Sequence, residues 1–131
     1  MFPILVVLCI ALASSQVDAY TLQQRQQGDL FALECLTETG VNPASIALLK
    51  IGDFTANEKR AKCFVRCFFQ KEGFMNADGE LLPESIVEAL SNDFEREKLE
   101  KVVSSCQVKS EDACDSAFLM YECLYKNREN L

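Results

Sequence analysis

Cysteine is the residue type in this sequence whose number and spacing suggest chemistry. After the apolar start of the chain, six cysteines follow the pattern C-x27-C-x3-C-x38-C-x7-C-x8-C, at Cys35, Cys63, Cys67, Cys106, Cys114 and Cys123. A zinc site usually combines such residues with histidine or a second close cysteine pair, and the chain contains no histidine. A redox centre usually has the motif C-x-x-C in an electropositive setting, and that motif is absent. We therefore predict no metal and no cofactor, and we expect the cysteines to form disulfides.

The start of the chain predicts the compartment. An apolar run at residues 4–13 is shorter than the roughly 20 residues that cross a bilayer, and the sequence VDA at 17–19 suits signal peptidase. We predict that residues 1–19 are a signal peptide and that residues 20–131 form one secreted helical domain. This domain has 112 residues, six cysteines and a formal charge of −6. An even cysteine count in a short secreted chain indicates three disulfides.

Charge and composition exclude several function classes. An acidic chain with no basic cluster argues against nucleic acid as a partner and against stable membrane insertion. Without histidine, neither a Ser/His/Asp nor a Cys/His nucleophile can form, and no glycine-rich phosphate motif is present. The segment at 76–79 has the composition of a calcium loop, but Phe74 and Ser85 stand where that loop requires carboxylates. We predict a turn at this position and a protein that is not an enzyme.

Helix signals recur along the whole chain after the signal peptide, and we find no run of alternating apolar and polar residues. Caps, prolines and glycines divide the chain into segments of helical periodicity. The predicted helices run from about Thr21 to Gly40, from Pro43 to Ile51, from Asn57 to Glu72, from Pro83 to Leu90, from about Ser91–Asp93 to Cys106, and from Ala113 to about Tyr125. The predicted fold class is all-α, with about six helices.

Helical geometry limits how the cysteines can pair. Cys114 and Cys123 would lie about 13 Å apart along one helix, beyond the roughly 7 Å between bridged Cα atoms, so they must reach different partners. Cys63 and Cys67 are about 6 Å apart on one face, where a bridge would only fasten an existing turn. We expect each of them to join a different helix, and the remaining pairings stay open.

The sequence resembles the insect odorant-binding proteins of the pheromone-binding and general-odorant-binding type over the whole domain. The resemblance is carried by the x3 gap in CFVRCFF, the x8 gap from Cys114 to Cys123, the signal peptide and the six-helix pattern. The x7 gap before Cys114 is one residue shorter than that family usually shows, so the loop between the fifth and sixth helices departs from it. The resemblance implies a compact helical bundle around an apolar cavity. It also implies three interlaced disulfides: Cys35–Cys67, Cys63–Cys114 and Cys106–Cys123.

We expect the cavity to be lined by apolar and aromatic residues that lie near the disulfides or close the ends of the cavity. These candidate ligand-binding residues are Leu48, Phe54, Val65, Phe68, Phe69, Met75, Leu82, Ile86, Leu90, Val102, Phe118, Tyr121 and Tyr125. Arg66 or Lys62 could meet an acidic group of a ligand if either side chain turned inward. The last residues could cover an opening, with Tyr125 or Leu131 tucked in, and we expect no full helix of these residues inside the cavity.

The resemblance implies an extracellular carrier that transports small hydrophobic molecules, such as odorants, pheromones or fatty-acid-like ligands, in olfaction or another chemosensory task. Its partner would be the ligand, with a membrane receptor as a further candidate, and the protein would be a monomer or a weak homodimer. The alternative is a secreted seminal, haemolymph or salivary interaction protein that acts through its surface. A membrane-active peptide is disfavoured because such helices are usually cationic.

Overall fold

In the part of the chain that the structure describes, the fold consists of six α-helices and a short 3-10 helix. The computed structural model describes residues 26–108 and 110–131. Within these residues α1 covers 26–39, and the other elements are α2 (Pro43–Lys50), α3 (Lys59–Glu72), α4 (Pro83–Leu90), α5 (Arg96–Ser105), α6 (Ala113–Lys126) and a 3-10 turn (Arg128–Asn130). The described residues contain no strand, only an isolated bridge between Met75 and Leu81. The predicted all-α fold class is confirmed.

Local signals in the sequence set most helix ends. Asn42 caps α2, since its side chain accepts a hydrogen bond from the Ala44 N–H and Pro43 occupies the first helical position. Asp112 caps α6 because its side chain accepts a hydrogen bond of 2.7 Å from the Cys114 N–H. This hydrogen bond lowers the pKa of the Asp112 carboxyl. Gly73 ends α3 in the left-handed conformation. The predicted start of the first helix, near Thr21, lies outside the described residues.

The fifth helix begins later than predicted, at Arg96 rather than near Ser91–Asp93. Residues 91–94 instead close the end of α4: the Ser91 hydroxyl donates to the Glu88 carbonyl at 2.8 Å, and the Phe94 N–H donates to the Leu90 carbonyl at 3.1 Å. Serine bonds readily to nearby backbone groups, which favours a helix end over a helix interior. The segment therefore connects two helices and does not belong to α5.

The predicted turn at 76–79 is present. The Asn76 side chain accepts from the Glu80 N–H at 2.9 Å, and the Gly79 N–H donates to the Asn76 carbonyl at 3.0 Å. Asparagine therefore closes this turn through its own side chain. The described residues contain no group of three metal-ligating side chains suited to a metal ion.

Three disulfides tie the helices together: Cys35–Cys67 joins α1 to α3, Cys63–Cys114 joins α3 to α6, and Cys106–Cys123 joins the end of α5 to α6. These are the pairs that the resemblance implies. Ala61 of α3 and Ala117 of α6 are both fully buried. We call these two helices, with their disulfides, the α3–α6 wall. The hydrophobic core takes residues from every helix, among them Cys35, Ile46, Phe64, Ile86, Leu99 and Met120.

The short loop before α6 is held by a buried serine. The Ser116 hydroxyl donates to the Ser110 carbonyl and accepts from the Ser110 N–H, both at 3.2 Å. Ser116 is only 4% exposed, so these hydrogen bonds satisfy a polar group that would otherwise be costly to bury. The loop that departs from the family spacing is thus anchored to the first turn of α6.

Candidate functional site

A cavity of about 440 Å³ lies between the helices. Its seventeen lining residues are almost all apolar or aromatic, and they come from every helix except α5: Ala32, Ile46, Leu49, Lys50, Phe64, Val65, Phe68, Phe69, Phe74, Ile86, Leu90, Phe94, Tyr121, Leu124, Tyr125, Arg128 and Leu131. Small-molecule sites are typically concave and mostly apolar, with volumes of about 300 to 1,000 Å³. The cavity has the size and lining of such a site.

One side of the cavity is the segment CFVRCFF in α3. Phe64, Val65, Phe68 and Phe69 line the cavity; residues with this spacing share one face of a helix. The rings of Phe64 and Phe68 are stacked with their centroids 6.4 Å apart, and the Phe69 ring meets that of Phe74 edge-on at 5.5 Å. The two disulfides from this segment hold α3 against α1 and α6. They therefore fix the helix that presents these rings.

A second side of the cavity comes from α6 and the residues after it. Tyr121, Leu124, Tyr125 and Arg128 line it at positions i, i+3, i+4 and i+7, which is one stripe of a helix continued into the 3-10 turn. The Tyr121 hydroxyl donates a hydrogen bond of 2.8 Å to the Leu49 carbonyl near the end of α2. This bond joins α2 to α6 beside the cavity.

The chain after α2 makes room for Tyr125. Gly52 has a φ of +82°, and a Cβ at this position would lie 2.2 Å from the Cε1 atom of Tyr125. Only glycine fits both the backbone conformation and the close approach of the ring. We call the part of the cavity lined by Lys50, Tyr121, Tyr125 and Arg128, with Gly52 packed against the Tyr125 ring, the basic end.

Lys50 and Arg128 carry the two charged side chains of the lining, and the other lining side chains are uncharged. Lys50 and Arg128 are both exposed residues, so the cavity meets solvent at the basic end. The Arg128 guanidinium lies over the Tyr125 ring, 4.2 Å from its centroid, and donates to the Tyr125 carbonyl at 2.8 Å. Burial, followed by the effect of Tyr125, raises the pKa of the Tyr121 hydroxyl above its ordinary value of 10.0. Tyr121 is therefore a neutral hydrogen-bond donor at physiological pH.

Seven of the thirteen predicted ligand-binding residues line the cavity: Val65, Phe68, Phe69, Ile86, Leu90, Tyr121 and Tyr125. They come from α3, α4 and α6. Whether they bind a ligand stays a prediction, but the structure brings them around one space.

The other six predicted residues lie outside the lining. Met75, Val102 and Phe118 are buried in the packed core, with exposed fractions of 2%, 5% and 4%. Leu48 points away from the bundle and is 38% exposed. Leu82 is half-buried before the first turn of α4. Phe54 packs edge-on against Phe118 at 5.9 Å and against Tyr125 at 5.7 Å, so it supports the lining from outside.

The two basic residues that the sequence offered for an acidic ligand group also lie outside the lining. Lys62 forms an ion pair of 3.0 Å with Asp115 on α6, and its ammonium lies 5.7 Å from the centroid of the Phe118 ring. Arg66 is half-buried on α3 but does not border the cavity. Lys62 thus strengthens the α3–α6 wall.

Ten lining residues are absent from the thirteen predicted ligand-binding residues, although Leu131 was expected to tuck into an opening: Ala32, Ile46, Leu49, Lys50, Phe64, Phe74, Phe94, Leu124, Arg128 and Leu131. Three of them had a signal in the sequence. Leu124 and Arg128 continue the helical stripe of Tyr121 and Tyr125, and Phe64 lies one turn before Phe68 on the same face. The remaining residues had no such signal, because their role depends on how α2, the connecting segments and the last residues fold back onto the bundle.

Comparison with known proteins identifies the family. The sequence profile of the PBP/GOBP family matches residues 17–127. The chain belongs to this family. Odorant-binding protein 10 of Aedes aegypti, a relative, is 30% identical over 102 residues, which span 77% of this chain and 73% of that protein. General odorant-binding protein 56a of Drosophila melanogaster is 32% identical over 91 residues, which span 69% of this chain and 65% of that protein.

A solved structure from the same group of proteins supports the fold assignment. It is described as the fatty acid binding protein OBP56a from the oral disk of the blowfly Phormia regina. It aligns with a TM-score of 0.69 and 29% identity, and the alignment covers 83% of this chain and 95% of that one. This member of the PBP/GOBP family has no helix, within the residues that the structure describes, that is long and apolar enough to span a bilayer.

Proposed function

We propose that this protein is a secreted carrier that binds small hydrophobic molecules in its internal cavity. The observation that carries the proposal is the apolar cavity of about 440 Å³, into which four of the six helices send large apolar or aromatic side chains. Moving an apolar ligand from water into such a space gains about 25 cal/mol for each Å² of surface buried. Relatives named as odorant-binding proteins and a fatty acid binding protein support the same role.

Secretion is part of the proposal. Residues 1–19 have the composition of a signal peptide, and three disulfides suit an oxidising compartment. Mass spectrometry of the protein released by insect cells should find an amino terminus at Tyr20. An intracellular protein that retains residues 1–19 would contradict this part of the proposal.

Displacement of a fluorescent apolar probe tests the carrier function. We expect the purified protein to take up the probe and to release it when aliphatic or aromatic odorants are added. A protein that takes up no probe would favour an interaction protein that acts through its surface. Native mass spectrometry of the secreted protein would reveal any copurified ligand and any homodimer.

Phe68→Ala should weaken probe binding while the fold is retained. Phe68 lines the cavity, and removing its ring takes away apolar contact worth about tenfold in affinity. Leu48→Ala is the control, because Leu48 is an apolar residue outside the lining and should leave affinity unchanged. Equal affinity of wild type and Phe68→Ala across a panel of ligands would remove Phe68 from the site.

A further inference from the structure

The basic end places positive charge at one end of the cavity. Most of the lining is apolar, but Lys50 and Arg128 border the cavity at this end. Building on the proposed carrier function, we infer that the protein selects ligands with an apolar chain and a terminal carboxylate, and that Lys50 and Arg128 bind the carboxylate. Neither residue is assigned a role by the cysteine pattern or by the apolar periodicity of the helices.

Three contacts link the parts of the chain that carry these two cations. The bond from the Tyr121 hydroxyl to the Leu49 carbonyl, 2.8 Å long, holds the last turn of α2, which includes Lys50, against α6. The Tyr125 ring packs against Gly52, and the guanidinium of Arg128 lies over the same ring. Lys50 and Arg128 therefore border one end of the cavity and not opposite ends.

Within the described residues, no carboxylate oxygen lies within 4.0 Å of Lys50 or Arg128. Two other cations of the bundle are paired: Lys62 with Asp115 at 3.0 Å, and Lys71 with Glu34 at 3.0 Å and Glu38 at 3.2 Å. Arg128 donates from one Nη atom to the Tyr125 carbonyl, which leaves further N–H groups for an anion. The two cations at the cavity thus keep donors available for a carboxylate.

The chemistry of the two side chains suits this ligand group. A guanidinium can donate two parallel hydrogen bonds to one carboxylate, and an ammonium adds a point charge with three donors. Tyr121 and Tyr125 line the cavity beside these charges, since Tyr121 is bonded to the Leu49 carbonyl and Tyr125 lies under the Arg128 guanidinium. A long-chain carboxylate can then place its alkyl chain among the phenylalanines while its charged end remains near water.

The overall charge of the protein makes the two cations more important. The chain has a formal net charge of −7, so its long-range field repels anions. Selection for a carboxylate must therefore come from short-range contacts at the cavity itself. Removing one local cation should have a larger effect than removing a cation elsewhere on the surface.

The experiment compares dodecanoic acid with methyl dodecanoate, which has nearly the same shape but no charge. Affinities are measured at neutral pH by displacement of a fluorescent apolar probe. We expect the wild-type protein to bind the acid about tenfold more tightly than the ester. Lys50→Gln and Arg128→Gln should each weaken acid binding by roughly three- to tenfold and leave ester binding within twofold. Arg128→Lys, which keeps the charge, should retain part of the preference.

Lys98→Gln is the matched control. It removes the same charge from α5, where Lys98 pairs with Glu95 at 3.6 Å and does not line the cavity. We expect this variant to bind both ligands like wild type. A thermal unfolding curve for each variant shows whether the fold is intact.

The outcomes separate this inference from the proposed carrier function. Equal binding of acid and ester by wild type, or equal losses for both ligands in the variants, overturns carboxylate selection but leaves a general carrier of hydrophobic molecules. Binding of neither ligand by wild type overturns the carrier function, and carboxylate selection with it. Loss of acid binding in Lys98→Gln as large as in Lys50→Gln also overturns the inference, because the effect would then be one of net charge.

Discussion

The α3–α6 wall and the basic end border the same cavity, but they are held by different kinds of interaction. The wall has the disulfide Cys63–Cys114 and the ion pair Lys62–Asp115 across its two helices. At the basic end, α2 and the residues after it meet α6 through a hydrogen bond from Tyr121 and the packing of Tyr125 on Gly52, and Arg128 stacks on Tyr125. No cysteine lies in α2.

The difference suggests a division of roles. Covalent bonds and tight packing keep the shape of a cavity whose interior is not filled by side chains. Non-covalent contacts worth about 1 kcal/mol each can break and re-form at ordinary temperature. A ligand would therefore enter and leave at the basic end while the wall stays in place.

Breaking the wall should have the largest effect on stability. The double variant Cys63→Ala/Cys114→Ala should lose about 2 to 5 kcal/mol of unfolding free energy, because a crosslink between residues 51 apart in sequence no longer restricts the unfolded chain. Urea unfolding measures the loss. Cys106→Ala/Cys123→Ala, which opens a loop of 17 residues, should lose less. A loss below about 1 kcal/mol for the first variant would contradict the role given to the wall.

Filling the space beneath Tyr125 should have an intermediate effect, confined to the basic end. Gly52→Ala combines a left-handed backbone conformation with a contact of 2.2 Å to Tyr125, and should cost about 1 to 3 kcal/mol while displacing the ring. Urea unfolding and the NMR signals of the tyrosine rings report the two effects. Gly73→Ala is the control, since Gly73 has nearly the same φ with nothing within 4 Å of its Cβ position.

The comparison between these two glycines isolates the clash from the backbone strain. If Gly52→Ala and Gly73→Ala lost equal stability and left the tyrosine signals unchanged, the position of the Tyr125 ring would not depend on the absence of a side chain at Gly52. A larger loss for Gly52→Ala, together with faster ligand release in stopped-flow measurements, is the expected result.

Removing one hydroxyl should have the smallest effect. Tyr121→Phe deletes the hydrogen bond to the Leu49 carbonyl and should cost about 1 kcal/mol. Because burial raises the pKa of Tyr121, the folded protein disfavours the ionised form. The contribution of Tyr121 to stability should be fully present below the ordinary tyrosine pKa of 10.0. It should be lost as the pH rises through the higher pKa that Tyr121 has in the folded state.

Urea unfolding of wild type and Tyr121→Phe at neutral pH and above pH 10 measures this contribution. The variant should lose less stability than wild type on going to the higher pH. Tyr125→Phe serves as the hydroxyl control, since no hydrogen bond of its hydroxyl occurs within residues 26–108 and 110–131. If the unfolding free energy of wild type and of Tyr121→Phe changed equally with pH, Tyr121 would not be the residue responsible for the loss of stability.

The comparison of wall and basic end also explains what the sequence could predict. The phenylalanines of α3 and the tyrosines of α6 lie beside cysteines at helical spacing, and a helix held on one face by disulfides leaves another face for the cavity. Periodicity alone could not separate Phe68 from Phe118, because both lie on apolar faces and only the packing of neighbouring helices puts Phe68 beside the cavity and Phe118 in the core.

The basic end could not be predicted from the sequence, for a related reason. Lys50 and Arg128 are far apart in sequence, and each is an ordinary charged residue at a helix end. Their meeting depends on long-range contacts, such as that between Tyr121 and Leu49, which join residues 72 apart in sequence. A pattern read within one helix contains no information about such contacts.

The order of the disulfides along the chain has a consequence for proteolysis. Cys35–Cys67, Cys63–Cys114 and Cys106–Cys123 overlap, since each loop begins before the preceding one ends. Every peptide bond between Cys35 and Cys123 therefore lies inside at least one loop. A protease that cuts any single bond in this region leaves both fragments joined through sulfur. The nicked protein would migrate as one species on a non-reducing gel and would separate into two fragments only after a thiol reductant is added.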